Sequence, residues 1–328
     1  MKITMAHGSG GKATSELIES IFAKHFNNPV LARMEDSAVL PGAATIAVTT
    51  DSFVVTPLFF NGGDIGRLAV CGTVNDLAMS GAVPKYLTCG FILEEGLDTD
   101  VLDRIVLSMA HTAAEAGITI VAGDTKVVEG KGGLYINTSG VGFVPQGCTI
   151  SSANCSDGDV VLLSGTMGDH HATILSARMG IQNDIQSDCT PLNGITAALM
   201  DSGVRVKAMR DVTRGGLATV LSEFAVASRC CISLEETAIP VTPQVRGLCG
   251  ILGLDPLYMG NEGKLVAVVA REDAQKALAC IQGSLYGEHA AVIGAVSMQA
   301  TETVLLKTAV GGTRILTQLY GEGLPRIC

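Results

Sequence analysis

The feature that most constrains the fold is a polar stretch at residues 145–159, which separates two blocks of mixed strand and helix patterns. This stretch is rich in Ser, Asn, Asp and Gly, the residues that typically form loops between periodic segments. The chain has 328 residues, and at roughly 150 residues per domain this length favours two domains. We therefore predict an N-terminal domain over 1–150, a C-terminal domain over 151–312 and a mobile tail over 313–328.

Both blocks mix the two kinds of pattern without strict alternation, which indicates α+β domains with helices packed on mixed or antiparallel sheets. A doubly wound parallel sheet is the alternative. In the first block the sequence predicts strands at 45–56, 84–94, 118–122 and 134–144, and helices at 66–81 and 98–116. In the second it predicts strands at 160–164, 231–235, 264–270, 291–297 and 303–307, and helices at 169–179, 192–208, 215–229 and 272–281.

Composition excludes several classes of protein. A net charge of −10 and only 4% aromatic residues argue against a nucleic-acid binder, which needs positive charge and stacking surfaces. We find no apolar run near the ~18 residues of a membrane span and no signal-like segment at the start of the chain. The ten Cys form no C-x-x-C pair, which argues against a zinc ribbon. We expect a cytoplasmic protein with neither nucleic-acid nor membrane partners.

Two glycine-rich segments are candidates for binding phosphate. The first contains Gly8, Gly10 and Gly11, but its spacing is not that of a P-loop, and Ala13 stands where a P-loop has Ser or Thr. A segment that wraps phosphates and a flexible N-terminus both remain open. The second, Arg214-Gly215-Gly216, precedes a predicted helix whose free N–H groups would attract an anion. The alternative there is an ordinary helix start.

Carboxylates at predicted strand ends and turns form a second group of candidates. Each one alone favours a capping or turn role. Several in one domain raise the prospect of a shared Mg²⁺–phosphate site, because Mg²⁺ prefers carboxylate and phosphate oxygens. The candidate ligands are Asp36, Asp51, Asp76 and Asp124.

Lys126 and Glu262 are candidates for the chemistry itself. Lys126 lies two residues after Asp124 and could neutralise a phosphate or act on the reacting group. Glu262 lies just before a predicted strand and is a candidate base, with a turn carboxylate as the alternative.

The chain ends in a free thiol, Cys328. Two Gly and a Pro in the last nine residues disfavour a helix or a central strand. Such a tail could sweep up to ~30 Å and carry the thiol between a partner and an internal site. A thiol at the last position is not a prenylation signal, which needs three residues after the Cys. Arg326 would favour the thiolate, whereas the terminal carboxylate opposes it.

Seven motifs together resemble HypE, the family of hydrogenase maturation carbamoyl dehydratases, over essentially the whole chain. They are His7-Gly8-Ser9-Gly10-Gly11, Thr50-Asp51-Ser52, Asn75-Asp76, Gly123-Asp124-Thr125-Lys126, Asp211-Val212-Thr213-Arg214-Gly215-Gly216, Asn261-Glu262-Gly263-Lys264 and Pro325-Arg326-Ile327-Cys328. Aminoimidazole ribonucleotide synthetase and selenophosphate synthetase share individual motifs, but the Pro-Arg-Ile-Cys ending separates HypE from them. One departure is His171, at a position where the family has Gly.

The resemblance implies two domains of the aminoimidazole ribonucleotide synthetase type and a homodimer formed by the N-terminal domains, with ATP near their interface. It implies ATP and Mg²⁺ as cofactors. It also implies two partners: HypF, which loads a carbamoyl group on Cys328, and the HypC–HypD complex, which receives cyanide for a nickel–iron hydrogenase. The alternatives are a related synthetase or kinase for a small substrate, and a non-catalytic thiol scaffold.

We assign three sets of residues on this basis. The catalytic candidates are Cys328, Glu262 and Lys126. The nucleotide-binding candidates are Gly8, Gly10, Gly11, Asn75, Thr125, Arg214, Gly215 and Gly216. The Mg²⁺ ligands are Asp36, Asp51, Asp76 and Asp124.

Overall fold

Two mixed sheets with packed helices, and one small two-stranded sheet, make up the fold in a computed structural model that describes residues 1–34, 37–299 and 302–318. The helices are α1 (Lys12–Leu17), α2 (Ile65–Met79), α3 (Thr99–Ala116), α4 (Asp169–Met179), α5 (Asn193–Asp201), α6 (Gly216–Ser228), α7 (Pro243–Leu252) and α8 (Ala274–Gln282). The strands are β1 (Ile46–Phe53), β2 (Phe59–Phe60), β3 (Gly63–Asp64), β4 (Val83–Glu94), β5 (Thr119–Val128), β6 (Leu134–Phe143), β7 (Val160–Leu163), β8 (Val206–Asp211), β9 (Cys231–Glu235), β10 (Leu265–Val269), β11 (Ala291–Ser297), β12 (Thr303–Lys307) and β13 (Thr313–Leu316). The predicted α+β class is confirmed.

The N-terminal sheet has the order β1-β6-β4-β5, with β4 and β5 parallel and the other pairs antiparallel. Helix α2 packs against one face and is almost wholly buried. Asp64 caps its N-terminus, and the carboxylate of Asp64 accepts the N–H groups of Gly66 and Arg67 at 2.7 and 3.0 Å. Gly66 permits close contact with α3, since a Cβ there would lie 2.4 Å from the Ile105 carbonyl oxygen. These contacts fix α2 across the sheet.

The opposite face of this sheet is exposed and partly apolar. Side chains alternate between the two faces of a strand, and the alternating burial along β1 and β6 follows this rule. The exposed large apolar side chains on the four strands of this sheet are Ile46, Val48, Val83, Ile92, Val128 and Tyr135.

The C-terminal sheet has the order β13-β12-β9-β11-β7-β10-β8, with only the β12–β9 pair parallel. All five residues of β10 are buried. Val266 and Val268 pack with α6, whereas Leu265, Ala267 and Val269 pack with α5 and α8. Because both faces of β10 are covered, its sequence is a continuous apolar run instead of an alternating one.

Two predicted boundaries are wrong, and one helix was missed. The helix predicted over 192–208 ends at Asp201, because Gly203 adopts a left-handed conformation with φ of 73° and the chain continues as β8. Strand β5 continues to Val128 instead of ending at residue 122. Helix α7 was not predicted at all.

The start of the predicted tail is also corrected. Strand β13 falls within 313–328, pairs with β12 and buries Leu316. Cys328 lies outside the described residues, and so does Asp36. Among the residues that the structure describes, none of the helices combines the length and apolarity that a membrane span requires.

Candidate active site at the domain seam

Four carboxylates meet where α2 of the first domain contacts two loops of the second. Asp51 lies on β1, Asp76 on α2, Asp211 at the end of β8 and Glu262 just before β10. The two C-terminal loops are tied together by backbone hydrogen bonds, from Asn261 N to the Val212 carbonyl at 2.9 Å and from Val212 N to the Lys264 carbonyl at 2.8 Å. The fold thereby gathers residues that are far apart in sequence.

Strand alternation directs Asp51 toward α2. A Cβ added at Gly72 of α2 would lie 3.8 Å from Asp51 Oδ2. On the same face of β1, the Thr49 hydroxyl donates to Asp76 Oδ2 at 2.8 Å. Two of the four predicted Mg²⁺ ligands, Asp51 and Asp76, are therefore brought together at the helix–sheet contact.

Burial and neighbouring negative charges raise the pKa of three of these carboxylates, Asp51, Asp211 and Glu262. The pKa of Glu262 is well above its usual value, first because of burial and then because of the negative charges of Asp211 and Asp188. Asp51 raises it further, whereas Arg214 lowers it. Burial and then the charge of Asp76 raise the pKa of Asp211 to about 7.

Asp51 belongs to the same electrostatic group. Burial and the charge of Asp76 raise its pKa, and Arg214 opposes the shift. We name the group of Asp51, Asp76, Asp211 and Glu262 the seam cluster.

The seam cluster has the oxygen-rich chemistry that suits Mg²⁺, and its mutual repulsion would be relieved by a cation. Within the described ranges, however, no three His, Cys, Asp or Glu side chains already converge on a common point as metal ligands. Asp51 and Asp76 would therefore need phosphate oxygens to complete a coordination shell.

Asp124 and Lys126 form a separate pair on the exposed face of the N-terminal sheet. Both lie within β5, where Asp124 is paired with Gly90 and Lys126 with Ile92 of β4. Lys126 Nζ lies 2.7 Å from Asp124 Oδ2, with both side chains about two-thirds exposed. The hydrogen bond from Lys126 lowers the pKa of Asp124. Within one protomer these two residues lie on the face of the sheet opposite to Asp51.

The N-terminal glycine segment lies beside this pair. Gly8 packs on β5, since a Cβ there would be 2.9 Å from Val127 Cβ. Gly10 has a φ of 79°, and its N–H donates to Thr14 Oγ1 at 3.0 Å. Gly11 immediately precedes α1. Gly8 therefore lies against the strand that carries Asp124, Thr125 and Lys126, and Gly10 and Gly11 follow it in the turn before α1.

Thr125 lines an adjacent groove together with Asp124. The groove lies between the N-terminal helical segment and the sheet and has a volume of about 510 Å³.

Asn75 and the two glycines at the start of α6 have contacts within the protein. The Asn75 side chain donates to the carbonyls of Thr190 and Glu262 at 3.1 and 3.3 Å and accepts from Leu192 N at 2.7 Å. Gly216 is buried, and a Cβ there would lie 2.5 Å from the Leu257 carbonyl oxygen.

Gly215 adopts a φ of 80° as the residue before α6. Of this segment, only Arg214 acts on the seam cluster, through its charge. Roles for Asn75, Gly215 and Gly216 in nucleotide binding stay predictions.

Sequence reasoning missed two residues of the site. Asp211 begins the motif that contains Arg214, but no role was assigned to it. Asp188 lies in no motif, and only the tertiary structure brings it to Glu262, whose N–H it accepts at 3.1 Å. His171, the departure noted above, is buried in α4, and its N–H donates to the Gly260 carbonyl at 3.2 Å.

Comparisons with known proteins agree with this architecture. The model of the AIR synthase related protein N-terminal domain matches residues 34–144, and that of the C-terminal domain matches residues 156–307. Carbamoyl dehydratase HypE of Rhodobacter capsulatus is 48% identical over 335 residues, covering 100% of this chain and 98% of that protein.

Two solved structures are also similar. Hydrogenase maturation protein HypE in complex with ATP superposes with a TM-score of 0.95 at 47% identity, covering 99% of each chain. A HypE chain from a HypE–HypF complex superposes with a TM-score of 0.81 at 48% identity, covering 92% of this chain and 99% of that one. With this identity over its full length, the chain belongs to the HypE family of carbamoyl dehydratases, within the AIR synthase related proteins.

Proposed function

We propose that the chain is an ATP-dependent carbamoyl dehydratase that acts on its own C-terminus. Its substrate is a carbamoyl group on the Cys328 thiol, and its product is the S-cyanate that supplies cyanide ligands to a nickel–iron hydrogenase. The observation that carries the proposal is the seam cluster, which places Glu262 among carboxylates that raise its pKa. This observation adds to membership of the HypE family.

The reaction requires loss of an amide oxygen, which is a poor leaving group. Transfer of the γ-phosphate of ATP to that oxygen releases ADP and turns it into a phosphate ester. Removal of the two N–H protons and departure of phosphate then form the C≡N bond. The balanced reaction converts S-carboxamide and ATP into S-cyanate, ADP and phosphate. Catalysis of the transfer depends on positioning and on neutralisation of charge.

Glu262 is the candidate base because a general base works best with a pKa near the operating pH. Carboxylates normally titrate near pH 4. The raised pKa of Glu262 therefore lies closer to a neutral operating pH than that of an ordinary carboxylate. Asp51 and Asp76 would hold Mg²⁺, which neutralises phosphate charge when bound. Asp36 stays a predicted ligand outside the described residues. Lys126 is assigned the electrostatic role.

A homodimer would bring the Asp124–Lys126 pair of one protomer to the seam cluster of the other. Asp124 and Lys126 lie on the exposed sheet face, whereas Asp51 points to the opposite one. That exposed face also carries large apolar side chains, among them Val48, which is 65% exposed. Such patches favour association, and a second N-terminal domain packed there would cover it. We propose that Lys126 of one protomer then serves the seam cluster of its partner.

Mixed dimers test this arrangement. Equal amounts of Glu262→Gln and Lys126→Met chains should give about a quarter of the wild-type rate, because half the dimers are mixed and each holds one intact site. If the two residues act within one protomer, every site is defective and the mixture stays inactive. Mixing each variant with the wild type controls for subunit exchange.

We propose HypF as the carbamoyl donor, in line with the similarity to a chain from a HypE–HypF complex. The HypC–HypD complex remains the proposed cyanide acceptor, and the cytoplasm the proposed compartment.

Two variants separate the proposal from its alternatives. We expect Cys328→Ala to abolish carbamoyl-dependent ATP hydrolysis, and Asp76→Asn to weaken it. A kinase for a small molecule would keep full turnover in Cys328→Ala. A non-catalytic scaffold would hydrolyse no ATP in any form. Measurement of ATP hydrolysis with and without HypF and a carbamoyl donor decides between them.

A further inference from the structure

The backbone of Glu262 is held from two sides by two different domains. Its N–H donates to Asp188 Oδ1 at 3.1 Å. Its carbonyl accepts from Asn75 Nδ2 at 3.3 Å. Asp188 belongs to the loop before α5 in the C-terminal domain, whereas Asn75 lies on α2 of the N-terminal domain.

Asp188 is itself fixed by a buried ion pair. Lys264 Nζ lies 3.3 Å from Asp188 Oδ2, with the two side chains only 10% and 4% exposed. Gly165 makes room for Lys264, since a Cβ there would lie 2.8 Å from Lys264 Cε. Both residues of the pair therefore lie close to Glu262: Asp188 accepts its N–H from a distant part of the chain, and Lys264 follows it by two residues.

The loop that carries Glu262 packs directly on the loop that carries Asp188. A Cβ added at Gly263 would lie 1.8 Å from the Asp188 carbonyl oxygen and 2.4 Å from Thr190 Oγ1. Any larger residue would push the loops apart. The Asn75 side chain binds this loop as well, through the Thr190 carbonyl at 3.1 Å. One amide therefore links both loops to α2.

Stability alone does not explain such a pair. Buried ion pairs are often no more stabilising than apolar residues of similar size, because desolvation offsets the attraction. Position matters more, since a shift of about 1 Å in a catalytic group can cost a hundredfold in rate. The negative charge of Asp188 also contributes to the raised pKa of Glu262.

We propose that Asp188, fixed by Lys264, is a positioning residue that sets the place of Glu262 by accepting its N–H. Asn75, in the other domain, donates to the Glu262 carbonyl, and we call these two contacts on the Glu262 backbone the clamp. This inference rests on the proposed role of Glu262 as the base.

Two double variants isolate the acceptor from the ion pair. Asp188→Asn/Lys264→Met and Asp188→Leu/Lys264→Met both remove the two charges, but only the first keeps an oxygen that accepts the Glu262 N–H. Asp273→Ala is the control. Asp273 also accepts a backbone N–H and pairs with an arginine, Arg205, at 3.1 and 2.9 Å, on the protein surface.

Hydrogen exchange resolved to single residues provides a readout that needs no reaction. We expect the Glu262 amide to exchange at least about tenfold faster in the Leu variant than in the Asn variant, because the acceptor is lost. Exchange in β10 should match between them. Equal exchange at Glu262 in the two variants, or a uniform increase through the domain, would overturn the inference. If the Leu variant does not fold, Asp188→Ala/Lys264→Met takes its place.

The single-turnover rate of dehydration gives the second readout. We expect the Leu variant to be at least about tenfold slower than the Asn variant, with ATP affinity unchanged, and Asp273→Ala to keep the wild-type rate. Equal rates in the two double variants would refute the positioning role. If the wild type itself never dehydrates but exchange at Glu262 still differs, the proposed function fails while the clamp stands.

Discussion

Asp51 and Asp124 are aspartates on two strands of one sheet, yet the fold gives them opposite environments. Asp51 faces α2, and burial together with the charge of Asp76 raises its pKa. Asp124 lies on the exposed face, and its ion pair with Lys126 lowers its pKa. The difference teaches that strand alternation, not proximity in sequence, assigns these carboxylates to separate tasks. The seam cluster is suited to a cation and a base, and the Asp124–Lys126 pair to an exposed contact.

The largest expected effect is the loss of the base from the seam cluster. Glu262→Gln should lower the single-turnover dehydration rate by roughly 10²–10⁴-fold, the usual contribution of a positioned base, while ATP still binds. Rapid quench with mass analysis of the C-terminal peptide measures the rate. The matched control is Glu235→Gln, an exposed residue paired with Lys307. A Glu262→Gln rate close to that of this control would remove Glu262 from the mechanism.

Loss of a cation ligand should have the next largest effect. Asp76→Asn should raise the Mg²⁺ concentration for half-maximal ATP hydrolysis by roughly 10–100-fold, as expected when an oxygen ligand loses its charge. Titration with Mg²⁺ at fixed ATP measures it. Asp201→Asn, on the surface at the end of α5, serves as the control. An unchanged Mg²⁺ requirement would contradict a role of Asp76 at the metal.

The opposite pKa shifts predict opposite pH effects on stability. Asp211 has a folded pKa of about 7 against a usual 3.8, so its proton stabilises the folded state, and this is lost as pH rises from about 4 to 7. Asp211→Asn should therefore gain stability relative to the wild type over this range, by up to roughly 4 kcal/mol at about 1.4 kcal/mol per pKa unit. Asp124, with its lowered pKa, adds stability above pH 4 that is lost on acidification.

Urea unfolding in EDTA without nucleotide, repeated at several pH values, measures both trends. Asp124→Asn should be slightly less stable than the wild type above pH 4, and this difference in stability should disappear as the pH falls below 4. If Asp211→Asn and the wild type show parallel stability curves between pH 4 and 7, the buried environment assigned to Asp211 is wrong.

The smallest effect should come from the exposed pair. Lys126→Met should change the free energy of unfolding by no more than about 0.5 kcal/mol, because exposed ion pairs contribute little. Its effect on dehydration should be far larger, if Lys126 serves the partner's site. A loss of stability in proportion to the loss of activity would give Lys126 a structural role instead.

Much of the fold follows from local sequence signals. The helix predicted over 98–116 matches α3, which has Asp98 as its cap and Gly117 at its end in a left-handed conformation. Helix α7 carries equally clear signals, with Thr242 as cap, Pro243 in the first turn and Gly253 after its end, and it could have been predicted. The helix predicted over 192–208 was too long because the prediction overlooked Gly203, whose left-handed conformation lies just after the end of α5.

The site follows less completely, because motifs identify residues but not the faces on which they lie. Asp124 was expected after a strand but lies within β5, and this register separates it from Asp51. Asn75 was expected at the nucleotide, yet its amide binds three backbone groups at the domain seam. Asp188 has no local signal, since its importance arises from contact with a loop more than seventy residues away.

The central claim is that the seam cluster dehydrates a carbamoyl group on the chain's own last residue. Mass spectrometry of the C-terminal peptide, taken from protein carbamoylated at Cys328, tests it directly. The account predicts that MgATP removes the mass of one water molecule from the wild-type peptide and leaves the Glu262→Gln peptide unchanged. A wild-type peptide that keeps its full carbamoyl mass after MgATP is consumed would contradict the account.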